Sequence, residues 1–175
     1  MTEQQQVSPA GIFGAIWGAG VLSVVLLDAI NRLSGIAMQA VDDGLSGVQW
    51  SVLVIVVVAM AYMEGYRGFQ KSFSPRCAAR TFYLYRNPDL LSVVLAPFFI
   101  MGFFRATRAP FLFAWVGTAL IVLLIIALQI SPQPWRGIVD CGVVVGLSWG
   151  LASFLAILLR VFQTGEPTVS AAVPE

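Results

Sequence analysis

Four ionisable side chains lie in or beside long apolar stretches of this sequence: Asp28, Glu64, Asp140 and Arg160. A charge inside a lipid bilayer is costly unless it is paired or hydrated, so each of these residues is a candidate for binding an ion or a proton. That chemistry would make the protein a small transporter or channel for a solute or an ion.

Three of these charges also have a structural explanation. Asp28 precedes Arg32 by four residues and Glu64 precedes Arg67 by three, spacings at which helical side chains form ion pairs. Arg160 lies in a last helical turn, from which its long side chain can extend to the membrane surface. We therefore expect these three charges to be structural before they are functional.

Asp140 is the strongest of the transport candidates. It falls in the first turn of its helix, where the helix dipole also favours an anion. Trp135, Arg136 and Cys141 surround it in sequence, and a stripe of glycines begins two residues later. A transport path would therefore pass Asp140 and the glycine stripe.

The string Gly146-Leu147-Ser148-Trp149-Gly150 matches the G-x-S-x-G pattern of serine nucleophiles and raises the possibility of an intramembrane hydrolase at Ser148. A serine nucleophile needs a base, but the chain contains no histidine and only one lysine, Lys71. Metal-ligand spacings, a P-loop and a dinucleotide-binding fingerprint are also missing. The sequence therefore predicts a protein that is not an enzyme and that holds no metal or cofactor.

Small residues recur at every fourth position in the first and last apolar segments. Such stripes let another helix backbone approach closely. We expect the first helix to pack against the last one inside a single bundle, with homo-oligomerisation as the alternative. The stripe residues are Gly14 and Gly18 in the first segment and Gly142, Gly146 and Gly150 in the last.

Basic residues are concentrated between the apolar segments, where they can contact anionic lipid or a membrane protein partner. Loops that carry excess Arg and Lys are typically cytoplasmic. Ser74 and Pro75 predict the start of an interfacial helix that ends near Arg86 and turns its basic side toward head groups. A net charge of +1 argues against a nucleic-acid partner. The candidates for lipid or partner contact are Arg67, Lys71, Arg76, Arg80, Arg86, Arg105, Arg108, Trp135 and Arg136.

The elements that position these residues are membrane helices. Hydrophobic residues make up 58% of the chain and charged residues 11%, against about 25% charged residues in a typical soluble domain. We expect one all-α transmembrane domain over 11–163, between a polar N-terminal tail (1–10) and a disordered C-terminal tail (164–175). Its predicted segments are 11–31, 48–66, 111–130 and 137–162, with a short apolar segment over 90–104 and a basic cytoplasmic loop over 67–89.

The short segment decides the number of crossings. If it spans the membrane there are five crossings, with six basic residues inside and four outside; if it re-enters and returns at Pro97 there are four crossings, with eight inside and two outside. The positive-inside rule favours four full helices plus a re-entrant segment, while a short fifth crossing remains the alternative.

The leading hypothesis is a small multi-pass protein of a cell membrane, most simply the bacterial cytoplasmic (inner) membrane, without a catalytic site. It would act as an accessory protein by binding anionic lipids, a membrane protein partner or a second copy of itself. Transport through Asp140 is the alternative, and hydrolysis at Ser148 is a remote one.

Overall fold

A computed structural model describes residues 8–174, and every regular element in that range is a helix. The predicted all-α fold is confirmed for this part of the chain. The expected polar tail over 1–10 falls mostly outside the described residues, and Pro9 already belongs to the first helix. In chain order the elements are α1 (Pro9–Asp42), α2 (Gly47–Met60), a π-helical segment (Ala61–Phe73), α3 (Ser74–Arg86), α4 (Leu90–Val94), α5 (Ala96–Met101), α6 (Arg108–Gln129) and α7 (Trp135–Thr164).

Within residues 8–174, four helices are long and apolar enough to cross a membrane. They are α1, α6, α7 and the continuous 40-residue helix Gly47–Arg86, which comprises α2, the π-helical segment and α3. At about 1.5 Å per residue each has the length that a hydrocarbon core of about 30 Å requires. The protein is therefore a multi-pass membrane protein by length and composition.

The ends of α1 and α2 follow from local sequence. Asp43 caps α1, and Gly44 adopts a left-handed conformation with φ of 87°, which ends the helix. Ser46 and Gln49 then form a reciprocal capping box that opens α2. The reversal between the two helices therefore needs only four residues.

The helix predicted from Ser74 to about Arg86 is confirmed as α3, but residues 67–73, expected to be loop, are also helical and join it to α2. The chain passes Pro75 without a break because the change from π-helical to α-helical bonding falls there: the N–H of Ser74 still donates to Phe69 O, five residues back. Proline has no N–H to donate, and the bond that Pro75 cannot make is missing at the position where the bonding pattern changes. Ser74 is consequently inside a continuous helix and caps nothing.

Helix α7 runs antiparallel to α1 and parallel to the 40-residue helix. Gly137 of α7 faces Ala40 of α1, and four residues later Cys141 faces Ala37, so the two helices run in opposite directions. The buried core lies where α1, α3, α5 and α7 meet, whereas α2 has no buried residue and α6 has one, Ala114. The central helix of the packed region is thus the basic α3.

The glycine stripe of α7 packs against the 40-residue helix. A Cβ added to Gly142 would lie 2.9 Å from Met60 Cγ, and one added to Gly150 would overlap the Phe69 ring. The stripe of α1 faces other elements: Gly14 lies against Leu84, and Gly18 lies against Ile100 and Ala96. Helices α1 and α7 do pack together, as expected, but neither stripe forms their contact, because other helices fill both grooves.

The short apolar segment forms two short helices, α4 and α5, broken at Leu95. Pro97 lies in the first turn of α5, where proline is tolerated, so the predicted return at Pro97 is wrong; the helix ends at Gly102, in a left-handed conformation with φ of 90°. After Gly102 the chain comes back far enough for Arg105 to form an ion pair with Asp89.

Residues 165–174 were expected to be disordered, and the structure instead holds part of this segment against the helices. The N–H of Thr107 donates to Ala172 O at 2.9 Å, and Val173 packs against the buried core. A bond from Arg80 to Ala171, described below, fixes the same stretch. Carbonyl oxygens of this segment thus accept hydrogen bonds from α3 and from the residue that precedes α6.

Candidate functional site

Arg80 lies at the centre of the packed region with only 2% of its surface exposed. It comes from α3, and its side chain points to where α5 ends. Nε donates to Phe99 O at 2.6 Å and Nη1 to Ala171 O at 2.9 Å, while Nη2 donates to both Phe104 O and Arg105 O at 3.0 Å. The guanidinium also stacks on the Phe99 ring, 4.2 Å from its centroid. Four backbone carbonyls thus surround one cation.

This arrangement corrects the expectation that Arg80 faces lipid head groups. Two of its acceptors belong to the turn after α5, and the third, Phe99 O, also accepts from the N–H of Gly102, so the cation lies at the negative end of α5. A sequence signal does exist: Cys77, Ala78, Ala79 and Thr81 give α3 small residues on every side. Such a helix can be packed all round, whereas a helix on a membrane surface carries one bulky apolar face.

Four other cations of the basic region are exposed and form no ion pair with any described residue: Arg67, Lys71, Arg86 and Arg108. We call them the exposed basic set. Lys71 Nζ lies 5.4 Å from the centroid of the Tyr66 ring, and the Arg86 guanidinium lies 5.3 Å from that of Phe82. Tyrosine rings such as that of Tyr66 are enriched in the head-group region of a membrane, and the Phe82 ring offers Arg86 a cation–π contact.

Arg76 and Arg105 are engaged within the protein. Arg76 donates to the backbone and hydroxyl oxygens of Ser72 and stacks on Phe113 of α6. Arg105 pairs with Asp89 and also donates to the Ser92 hydroxyl at 3.1 Å. These two arginines therefore tie neighbouring elements together.

Asp89 caps α4 by accepting a hydrogen bond from the N–H of Ser92 at 3.1 Å. Hydrogen bonds from Ser92, first from its hydroxyl and then from its N–H, together with the charge of Arg105, hold the pKa of Asp89 below its ordinary value. The carboxylate therefore stays charged at neutral pH and links the start of α4 to the chain that follows α5.

Asp140 and Arg136 form a second polar cluster near the start of α7. Asp140 is 1% exposed, and its Oδ2 lies 3.7 Å from Arg136 Nε. Both atoms are buried without a hydrogen bond, so charge attraction alone compensates their loss of water. Cys141 makes a weak 4.0 Å contact with Ala37 O, and Trp135 is exposed. Of the three residues expected around Asp140, only Arg136 interacts with its carboxylate; Cys141 is half-buried and Trp135 is at the surface.

Glu64 lies in the π-helical segment, half-buried beside Gly146. The expected ion pair with Arg67 is wrong: among the described residues the two side chains do not come within 4.0 Å. The wider π-helical turn changes which residues are neighbours, so the α-helical spacing rule does not apply. In the same contact between α7 and the π-helical segment, Trp149 Nε1 donates to Gln70 Oε1 at 2.7 Å.

The other predicted charges lie at the surface. Asp28 and Arg32 form an exposed ion pair at 3.8 Å, which carries little energy. Arg160 is exposed near the end of α7. Ser148 is also exposed, and within residues 8–174 no hydrogen bond joins it to a base. The geometry therefore does not assemble a serine nucleophile.

No protein-family model, curated protein or solved structure matches this chain. Its function is therefore inferred from its own residues and their geometry.

Proposed function

We propose that this protein is a multi-pass membrane protein without catalytic activity that associates with anionic lipid head groups through the exposed basic set. The observation that carries the proposal is a local surplus of positive charge. Within the described residues none of the four cations lies within 4.0 Å of a carboxylate, whereas Arg105 is paired and Arg80 is enclosed by carbonyls. Free cations next to aromatic rings are suited to phosphate oxygens.

A topology of four crossings with a re-entrant α4–α5 segment supports the same function. The segment Leu90–Met101 has 12 residues and reaches at most about 18 Å, which is too short for a core of about 30 Å. The pair between Asp89 and Arg105 keeps its two ends near each other. This topology places Arg108 on the same side of the membrane as Arg67, Lys71 and Arg86.

The expected energy of each contact is modest. A basic residue near an anionic membrane surface contributes about 1 kcal/mol, which corresponds to roughly a fivefold preference for anionic over zwitterionic lipid. Four such residues would be enough to hold a shell rich in anionic lipid around this part of the protein. Arg80 and Arg105 should contribute nothing to this preference.

The test is to reconstitute the protein in vesicles of equal parts phosphatidylglycerol and phosphatidylcholine and to excise it with its surrounding lipid in polymer discs. Mass spectrometry of the lipids should show enrichment of phosphatidylglycerol, and the Arg67→Gln/Lys71→Gln variant should lose a large part of it. Arg32→Gln, which removes an exposed but paired cation, is the matched control. Equal enrichment in all three proteins, or none in the wild type, would refute the proposal.

A second candidate function is ion or proton transport through Asp140. It is favoured by one observation, the buried Asp140–Arg136 pair in which neither facing atom has a hydrogen bond. On this hypothesis the wild type conducts an ion or proton current into vesicles and Asp140→Asn does not, although the variant still folds. A current that is absent from the wild type or unchanged in the variant would remove Asp140 from consideration.

A further inference from the structure

A groove of about 460 Å³ lies between the last turns of α3 and residues 167–174. Phe82, Tyr83 and Arg86 form one wall, and Pro167, Val169 and Val173 are part of the other. Its volume lies within the range of about 300 to 1,000 Å³ that is usual for sites of small amphiphilic ligands. The groove is therefore large enough to take part of a lipid molecule.

The second wall of the groove is fixed in place by bonds from the helical core. Arg80 donates to Ala171 O and the N–H of Thr107 donates to Ala172 O, both at 2.9 Å, and Val173 packs against the buried core. Because contacts hold three consecutive residues, 171–173, this wall is ordered before a ligand binds. A ligand would therefore not bear the entropic cost of ordering it.

The chemistry of the walls identifies the kind of ligand. Among the residues that the structure describes, Arg86 is the only charged one that lines the groove. Aromatic and aliphatic side chains form most of the remaining surface, and Asn87 and Ser170 add polar groups to the lining. One cation at the edge of an apolar channel complements an anionic head group that carries a hydrocarbon chain.

We propose that this groove binds one anionic phospholipid, with its phosphate at Arg86 and one acyl chain along Phe82, Val169 and Val173. The inference rests on the proposed association with anionic lipid and assigns one lipid a defined place. Arg108, which belongs to the exposed basic set but does not line the groove, would contact only the exchanging lipid around the protein.

The test uses the full chain with the photoreactive residue p-benzoylphenylalanine in place of Val169, in vesicles of equal parts phosphatidylglycerol and phosphatidylcholine. The matched control carries the same residue in place of Ile125, on the exposed surface of α6. After irradiation, mass spectrometry identifies the attached lipid. We expect phosphatidylglycerol to predominate at position 169 and the two lipids to attach in bilayer proportion at position 125.

Arg86→Gln should reduce the preference at position 169 about fivefold, the effect of one cation near an anionic surface, and Arg108→Gln should leave it unchanged. Thermal unfolding of each variant shows whether the fold is kept, and Arg86→Lys, which retains the charge, should restore the preference. Bilayer proportions at position 169, or equal effects of Arg86→Gln and Arg108→Gln, would overturn the groove site. If the discs described above still show enrichment, the proposed function survives that result; if they show none, both fail.

Discussion

Replacing Arg80 by methionine should destabilise the protein by about 4 kcal/mol. The substitution keeps an apolar stem but removes four hydrogen bonds to carbonyl oxygens, each worth a net contribution of about 1 kcal/mol. Arg80→Met relieves the cost of burying a guanidinium, but it removes a donor from the carbonyls of Phe104, Arg105 and Ala171, while Phe99 O keeps its bond from the N–H of Gly102. Because Phe104 and Ala171 are half-buried, water replaces the lost donor only in part.

Thermal unfolding in mild detergent, followed by intrinsic fluorescence, is the assay. For a chain of this size 1 kcal/mol corresponds to a shift in Tm of about 2 to 4 °C, so Arg80→Met should melt roughly 8 to 16 °C below the wild type. Arg80→Lys offers three donors for four bonds and should fall in between. Arg86→Met, which removes an exposed arginine from the same helix, should change Tm by no more than about 2 °C.

Chemical rescue provides a second test of the role of the Arg80 guanidinium. In Arg80→Ala a cavity remains beside the four carbonyls, and millimolar guanidinium ion should restore protection of residues 165–174 against proteolysis, whereas sodium ion should not. A Tm for Arg80→Met within about 2 °C of the wild type would show that the carbonyl cluster adds nothing to stability. Rescue by any cation alike would show that charge, and not the planar set of donors, is what the cluster requires.

Three further results are expected. Gly146→Leu should lower Tm because a Cβ there would lie 2.8 Å from Glu64 Oε2, while Gly117→Leu, where nothing lies within 4 Å, should not; equal shifts would contradict the packing described for α7. Asp89→Asn should be less stable than the wild type at neutral pH, and the difference should disappear as pH falls through the pKa of Asp89, which lies below that of an ordinary aspartate, since protonation then removes the same charge; a difference that persists in acid would refute this. Maleimide should label Cys141, which is half-buried, faster than Cys77, which is 1% exposed, and the reverse order would contradict the burial of α3.

The long helices and several of their ends could be predicted from the sequence because the signals are local. The apolar segments and the end of α3 at Arg86 each depend on residues within a few positions of one another. The lengths of α6 and α7 likewise follow from uninterrupted apolar runs. Membrane helices need internal hydrogen bonding throughout, so such runs have few alternatives.

The environment of Arg80 could not be predicted, because its acceptors lie 19, 24, 25 and 91 residues away in sequence. Without knowledge of those acceptors, an arginine in a short helix is as consistent with a position facing lipid head groups as with a buried one. The same applies to the ordered stretch around Ala171, whose composition alone is that of a disordered tail. Glu64 and Arg67 failed to pair for a different reason, the π-helical turn, which has no simple sequence signature.

The bond between Arg80 and Ala171 also has a consequence for biosynthesis. Arg80 leaves the ribosome 91 residues before its acceptor, which at 5 to 20 residues per second is an interval of roughly 5 to 18 s. During this interval α3 has been synthesised, but Ala171, which carries one of the four carbonyl partners of Arg80, has not. Residues 165–174 therefore dock onto α3 only after all the helices described above have been synthesised, and a product whose translation stops before Ala171 would carry a buried cation that lacks one of its four acceptors.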